Sequence, residues 1–221
     1  VGFPLPIIFA LMLNCIRRSR ARRTVQTVVY IPHFISVIVM VGIIQQMFDV
    51  RIGLIVPLFK CLFGPAATAP NLMIVPQAFP HIYVWSGIWQ GLGWGTIIYT
   101  AALTAIDPSL HEVAVIDGAS RLKRILHIDI PAIAPTIAIT LILRFSSIMS
   151  IGFDKTYLMQ NDLNLATSEV IATYVYKVGL QSSSLDFSYS TAVGLFNALI
   201  NLALLLVANF ISRKTTKSSL W

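Results

Sequence analysis

The chain has 221 residues, of which 56% are hydrophobic and 11% are charged, and its mean hydropathy is +0.77. A soluble domain carries roughly 25% charged residues, so these charges are too few to cover a surface in water. The composition excludes an ordinary soluble domain and favours a lipid bilayer as the solvent, where this length suits about five spanning helices. The net charge of +7 also suits a nucleic-acid-binding protein, but the positions of the basic residues argue against that class.

The apolar pattern predicts an all-α bundle with five membrane spans. In chain order they cover residues 2–16, 25–48, 77–106, 132–153 and 189–211. Pro32 falls in the first turns of the second span and predicts a kink. Residues 54–63 are apolar but too few to cross, so we expect an interfacial or re-entrant helix there. Gly91, Gly93 and Gly95 in the third span predict a bend or the close approach of another helix.

The start of the chain predicts a truncated transmembrane domain. The first span would rise only ~22 Å as a helix, which is short of the ~30 Å hydrocarbon core. The sequence opens at Val1 without a methionine and lacks the basic start and cleavage site of a signal peptide. We therefore expect residues 1–221 to form a single membrane domain that has lost an N-terminal segment.

The basic residues predict the orientation of the spans, because cytoplasmic loops carry an excess of Lys and Arg. Placing the first basic cluster in the cytoplasm also puts the polar segment 107–131 and the C-terminal tail on that side. Eleven of the 16 Lys and Arg residues then lie inside: Arg17, Arg18, Arg20, Arg22, Arg23, Arg121, Lys123, Arg124, Arg213, Lys214 and Lys217. Four lie outside, namely Arg51, Lys60, Lys155 and Lys177, and Arg144 falls within the fourth span.

Cysteine and histidine positions predict neither a disulfide nor a metal site. Cys15 lies beside the first basic cluster, whereas Cys61 lies in a connection that the predicted topology places on the opposite side. The four histidines are scattered along the chain without the spacing of metal ligands.

The polar segment reads DPSLHEVAVIDGASRLKRILHIDIP over residues 107–131. Its Asp-Pro start suits an N-cap followed by the first helical residue, and Gly118 suits the end of that short helix. A second short helix over residues 120–128 is expected to stop before Pro131. The segment is therefore predicted to form an elbow of two helices on the cytoplasmic surface.

The elbow resembles the EAA loop of ABC importer permeases. The shared pattern of Glu-x-Ala, then Gly, then Ile-x-hydrophobic-Pro is present as Glu112, Ala114, Gly118, Ile128 and Pro131. Two positions depart mildly from the family pattern, with Val113 for the usual Ala and Ile130 for the usual Leu. The run IDGA resembles the version in carbohydrate importers, and stretches such as GFDKTYLM and SEVIATYVYKVGL are similar to permeases for oligosaccharides, polysaccharides and aldouronates.

This resemblance implies the six-helix core of a type I importer in a bacterial inner or plasma membrane. The elbow would dock as a coupling helix on the ATP-binding subunit. The residues expected to couple are Glu112, Ala114, Asp117, Gly118, Ala119, Ile128 and Pro131. Arg121, Lys123 and Arg124 would either assist that contact or bind anionic lipid heads.

The expected partners are an ATP-binding subunit dimer, a second permease subunit, an extracytoplasmic solute-binding protein and membrane lipid, with no nucleic acid. The chain has no GxxxxGK[ST] sequence to cradle phosphate. We therefore expect this chain to bind no cofactor and to be no enzyme, with ATP and magnesium held by the partner ATPase.

Several polar and aromatic residues are candidates for lining the substrate path. Arg144 follows Pro131 by ~20 Å of helix, and a charge at that depth faces either a wet path or a structural partner. If it faces the path, its guanidinium fork suits an acidic oligosaccharide. Trp89 is either a sugar-stacking residue or part of the interfacial aromatic belt. The other candidates are Phe153, Asp154, Tyr157 and Asn197, although helix association is the favoured role of the asparagine.

Two other function classes fit the sequence less well. An ion-coupled secondary transporter usually carries acids near mid-membrane, whereas here every Asp and Glu falls in a loop or at a span end and no internal repeat is evident. A membrane-embedded enzyme would need a catalytic constellation, and the sequence has neither an HExxH nor a Gly-x-Ser-x-Gly motif.

Overall fold

The computed structural model describes residues 2–16, 18–182 and 185–216, with the backbone alone for 214–216. The described residues are α-helical and include no strand, which confirms the predicted all-α class. Arg17 of the first basic cluster and Lys217 of the basic tail lie outside the described residues.

Twelve helices follow one another along the described chain. They are α1 (Pro4–Asn14), α2 (Ser19–Tyr30), α3 (Val37–Met47), α4 (Ile55–Phe63), α5 (Ala78–Thr104), α6 (Pro108–Ile116), α7 (Arg121–Arg124), α8 (Ile130–Ser146), α9 (Phe153–Met159), α10 (Leu165–Ser168), α11 (Ile171–Tyr176) and α12 (Phe187–Thr216). A 3-10 turn, Ile31–Phe34, follows α2, and π-helical turns follow α7 (Ile125–Asp129) and α11 (Lys177–Gln181).

By length and apolar composition, two stretches of the described chain are able to cross a membrane. These are the continuous helix Arg121–Ser146 and the helix Phe187–Arg213, with a third if the helices on either side of residues 31–36 count as one span. The first and third predicted spans are present as helices of 11 and 27 residues, α1 and α5. The predicted short helix between the second and third spans is present as α4.

The prediction of a single kinked helix over residues 25–48 is wrong, because the chain breaks there into α2 and α3. Pro32 lies in the intervening 3-10 turn, where its missing N–H interrupts the helical hydrogen bonds. Ser36 then starts a new helix, since its side chain accepts a hydrogen bond from Val39 N at 3.3 Å. Pro32 and the Ser36 cap together therefore divide the predicted second span into two separate helices.

The predicted fourth span is too long at its C-terminal end. The helix ends at Ser146, residues 147–152 are not helical, and Phe153 begins the separate helix α9. The fifth predicted span is shorter than the helix that contains it, because α12 begins at Phe187 and continues to Thr216.

The described residues form two compact units, of which the first contains Val1–Phe34, Ile88–Ile148 and Ile200–Trp221. Its buried core is formed by side chains of α1, α5 and α8, namely Ala10, Leu11, Tyr99, Leu103 and Ile133. Tyr99 and Thr140 join α5 to α8 through a hydrogen bond of 2.8 Å between their hydroxyl oxygens. Close packing and such polar contacts are what hold helices together where lipid removes the hydrophobic driving force.

Gly93 lets α5 approach α2 closely within the first unit. A Cβ at this position would lie 2.2 Å from the Val29 carbonyl oxygen and 2.8 Å from Tyr30 Cδ1. One residue further along α5, the Trp94 ring stacks on the His33 ring with centroids 4.5 Å apart. The predicted close approach at the glycine-rich part of the third span is therefore confirmed at Gly93, and α5 continues through it as one helix.

The second unit contains Ile35–Gly87 and Met149–Leu199. Its core comprises Met40, Val41, Ile44, Phe79 and Met159, which come from α3, α5 and α9. The fully buried Asn164 organises the loops beside this core. Its amide nitrogen donates to Met73 O at 3.0 Å and to Met159 O at 3.1 Å, while its carbonyl oxygen accepts from the Ser168 hydroxyl at 2.8 Å.

Replacing Gly93 with Ala is expected to lower the free energy of unfolding by roughly 1–3 kcal/mol, since an added methyl group must push the α2 backbone away. Gly91→Ala is the matched control, because nothing lies within 4 Å of a Cβ at that position of the same helix. Thermal unfolding of the detergent-purified protein measures both. Equal midpoints for the two variants would contradict the close contact.

Candidate functional site

The first arm of the elbow is α6, and its two ends are fixed by local hydrogen bonds. Asp107 Oδ1 accepts from Ser109 N at 2.9 Å, and the hydrogen bonds from Ser109 lower the pKa of this carboxyl. At the other end, Gly118 adopts a φ of +73°, and Ala119 N donates to Ala114 O at 2.8 Å. These are the predicted aspartate cap and the predicted glycine end of the helix.

The elbow exposes the residues that the sequence predicts for coupling. Glu112, Asp117 and Gly118 are exposed, and Ala114 and Ala119 are half-buried. Large apolar side chains of the elbow are exposed as well, namely Leu110, Val113, Val115, Ile116 and Leu122, with Ile116 reaching 83% exposure. A patch of exposed apolar side chains with a charged residue among them is typical of a surface that binds another protein.

The second arm of the elbow does not end where the sequence predicts. Ser120 caps it by accepting from Lys123 N at 3.4 Å, but the helix passes Pro131 and continues to Ser146 as one helix of 26 residues. The π-helical turn Ile125–Asp129 ends two residues before Pro131. A wider turn tolerates the missing proline N–H and relieves the clash of its ring with the preceding turn. The prediction that Pro131 stops this helix is therefore wrong.

Ile128 and Pro131 consequently belong to a continuous helix rather than to the end of a loop. Ile128 is half-buried in the π-helical turn, and Pro131 is exposed at the start of α8. The sequence analysis missed their neighbour Asp129, which is only 4% exposed and whose Oδ1 lies 3.2 Å from His111 Nε2 on the first arm. The sequence signal for this residue was a carboxyl group two positions before Pro131, at the start of a long apolar stretch.

Two of the six candidate path residues lie in the first unit. Trp89 is exposed on α5. Arg144 is exposed in the last turn of α8, two residues before the helix ends. A cation suits that place because the last carbonyls of a helix carry partial negative charge.

The other four candidates lie in the second unit, where two of them belong to an aromatic cluster. The Phe153 and Tyr157 rings stack with centroids 5.3 Å apart. Tyr176, which the sequence analysis missed, lies 5.0 Å from the first ring and 5.1 Å from the second. Asp154 is exposed in the first turn of α9. The side-chain oxygen of Asn197 is buried and has no hydrogen-bond partner among the described residues.

Lys155 fixes the helix that carries three of these candidates, α9, against α5 within the second unit. The side chain is 8% exposed, its Nζ donates to Tyr83 O at 2.7 Å, and the same Nζ lies 4.5 Å from the centroid of the Tyr83 ring. A Cβ on Gly87 would be 3.3 Å from this Nζ. Burial lowers the pKa of Lys155 to about 8, so the amine is still mostly protonated at pH 7.

Comparison with known proteins gives a clear family assignment. The family described as "Binding-protein-dependent transport system inner membrane component" matches residues 2–217. Protein LplB of Bacillus subtilis (strain 168) is 39% identical over 220 residues, which cover 100% of this chain and 68% of the relative. The polygalacturonan/rhamnogalacturonan transport system permease protein YteP of the same organism is 41% identical over 214 residues, which cover 97% of this chain and 65% of the relative.

Solved structures of a bacterial alginate ABC transporter resemble the whole chain. One, in complex with an alginate pentasaccharide-bound periplasmic protein, matches 99% of this chain and 74% of its own with a TM-score of 0.93 and 36% identity. The other is described as involved in the import of the acidic polysaccharide alginate, and it matches 97% of this chain and 73% of its own with a TM-score of 0.92 and 37% identity.

The chain therefore belongs to the inner membrane components of binding-protein-dependent transport systems, which are the permeases of ABC importers. This assignment confirms the resemblance that the elbow predicted, and it makes the chain a multi-pass membrane protein of a transport family. The assignment favours an ABC importer over the alternative of an ion-coupled secondary transporter. The chain spans about two thirds of the length of the two curated relatives.

The low pKa of Lys155 predicts that stability rises with pH between about 8 and its ordinary value of 10.5. In that window the unfolded chain binds the proton and the folded chain has released it, so raising the pH favours folding, by at most about 1.4 kcal/mol per pH unit. Lys155→Met should remove this contribution.

Lys177→Met is the matched control, because Lys177 is half-exposed and pairs with Glu169 at 3.0 Å. Unfolding midpoints of the purified protein across this pH range measure the effect. An identical rise in Lys155→Met and in the control would show that Lys155 is not the group responsible.

Proposed function

We propose that this chain is a permease subunit of an ATP-driven importer for acidic oligosaccharides and that the elbow couples it to the ATPase. The family assignment supports the importer class. The substrate class rests on relatives named for polygalacturonan, rhamnogalacturonan and the acidic polysaccharide alginate. Two permeases would share the path, and an extracytoplasmic solute-binding protein would deliver the sugar.

The coupling role is supported by one observation, which is that the elbow is continuous with a membrane span. The second arm and α8 form one helix of 26 residues, which is ~39 Å long. A force applied to the elbow would therefore reach the bilayer through a single stiff element. The exposed surface around Glu112, Gly118 and Ile116 supplies a place for that force to act.

ATP chemistry is assigned to the partner in this proposal. The ATP-binding subunits would hold ATP and magnesium, while this chain would provide Glu112, Ala114, Asp117, Gly118 and Ala119 as the docking surface. Ile128 and Pro131 would act further along the helix, where they set its path toward the membrane. The distribution of Lys and Arg supports a cytoplasmic position for both the elbow and the C-terminus.

Gly118→Glu should reduce the amount of ATP-binding subunit that co-purifies with the permease by at least about tenfold, because an unpaired charge buried in a contact costs several kcal/mol. The matched control is Gly64→Glu. Gly64 also has a positive φ, of +98°, with nothing within 4 Å of a Cβ, and it ends α4 in a connection predicted to face outside.

Both variants place the same added charge at a glycine of positive φ, so a larger loss of ATP-binding subunit in Gly118→Glu reports on the elbow. If Gly118→Glu retains the ATP-binding subunits as well as the control does, the proposed docking surface is wrong.

Arg144→Met should lower the uptake of an acidic oligosaccharide by about tenfold or more in proteoliposomes that contain the whole importer, because hydrogen bonds to charged groups contribute about 1.5–3 kcal/mol. Arg144→Lys should be intermediate, since it keeps the charge and loses the planar fork. Uptake of a neutral oligosaccharide of equal length serves as the internal control. Unchanged uptake of the acidic sugar by Arg144→Met would leave Arg144 a structural role only.

A further inference from the structure

The two arms of the elbow are joined by a contact between a histidine and a buried carboxyl group as well as by the chain. His111 on α6 places its Nε2 3.2 Å from Oδ1 of Asp129, which lies in the π-helical turn of the second arm. The side chain of Asp129 is 6% exposed and that of His111 is 27% exposed. A carboxylate this buried needs a partner, because an unpaired charge away from water is costly.

The surroundings of the pair are polar and basic. A cavity of about 280 Å³ beside it is lined by Asn14, Cys15, His111, Arg121, Arg124, Ile125 and Asp129. Arg124 Nε is buried there without a hydrogen-bond partner in the described part of the chain. Asp129 is the acidic member of this set, and His111 is the residue of the first arm that contacts it.

The joint between the arms is otherwise weakly supported. Gly118 has a left-handed backbone conformation and nothing within 4 Å of a Cβ, and the joint is held there by the backbone hydrogen bond from Ala119 N to Ala114 O. The π-helical turn is a second place where the regular hydrogen bonding of the helix changes. A load on α6 would be absorbed by bending at these two places unless something ties the arms together.

We propose that His111 and Asp129 are positioning residues that brace the elbow, so that displacement of α6 is passed to α8 instead of being lost at Gly118. This inference rests on the coupling role proposed above and adds the contact that makes the elbow rigid. In this proposal the pair contacts neither ATP nor sugar. Its loss should therefore separate hydrolysis from transport while both the docking surface and the substrate path stay intact.

The test uses the complete importer, with its binding protein and ATP-binding subunits, in proteoliposomes. The quantity measured is sugar transported per ATP hydrolysed. His111→Gln and Asp129→Asn should each lower this ratio by about fivefold or more, the low end of coupling effects between distant sites, and ATP-binding subunits should co-purify normally. The double variant should be no worse than Asp129→Asn, because both changes remove one interaction.

Two further variants separate a brace from a packing role. His111→Arg places a cationic hydrogen-bond donor opposite Asp129 and should restore at least half of the wild-type ratio. His127→Gln is the matched control, since His127 is an exposed histidine of the same π-helical turn and bonds Lys123 O within its own helix at 2.9 Å. It should leave the ratio unchanged.

The outcomes distinguish this inference from the proposed function. A wild-type complex that imports no sugar with ATP would refute the proposed function itself. A wild-type ratio in His111→Gln would refute the brace alone, as would an equal loss in His111→Arg. Because His111 is partly exposed, its variants are expected to fold, so the test does not depend on the folding of Asp129→Asn.

Discussion

The structure depends on one constraint, which is that a backbone entering hydrocarbon must satisfy its own hydrogen bonds. The helix that begins in the elbow meets Pro131, a residue that cannot donate one. The π-helical turn Ile125–Asp129 accommodates this loss before the helix becomes regular again. As a result, a surface arm and a membrane span form one element. That element links the proposed docking surface around Glu112 and Gly118 to the interior of the first compact unit.

Features that depend on a few neighbouring residues could be predicted from the sequence. The cap at Asp107, the glycine end at Gly118 and the exposed surface between them all follow from interactions within about one helical turn. The family resemblance came from the same segment, because its residue types and spacing are dictated by that local geometry. The close approach at Gly93 could also be predicted, since a glycine in an apolar helix lets the backbone of another helix pack closely against it.

Features that depend on distant residues could not be predicted in this way. The burial of Lys155 requires the carbonyl and ring of Tyr83, and the pairing of Asp129 with His111 requires the elbow to fold first. The break after Pro32 exceeds the expected kink because Ser36 supplies a new cap. Tyr176 joins Phe153 and Tyr157 only through the tertiary arrangement of α9 and α11. The roles of the six candidate path residues, two in the first unit and four in the second, remain predictions.

The π-helical turn also fixes how many residues the elbow has room for. Such a turn holds one residue more than an α-helical path of the same rise. Deleting a residue between Ile125 and Asp129 would let the segment tighten into a regular α-helix, and α8 would keep nearly its original rotation, because the wide turn had absorbed the extra residue. Deleting a residue from the regular part of α8 would instead rotate everything downstream, including Arg144, by about 100° about the helix axis. The π-helical turn is thus a place where the number of residues between Gly118 and Arg144 can change while Arg144 keeps its direction.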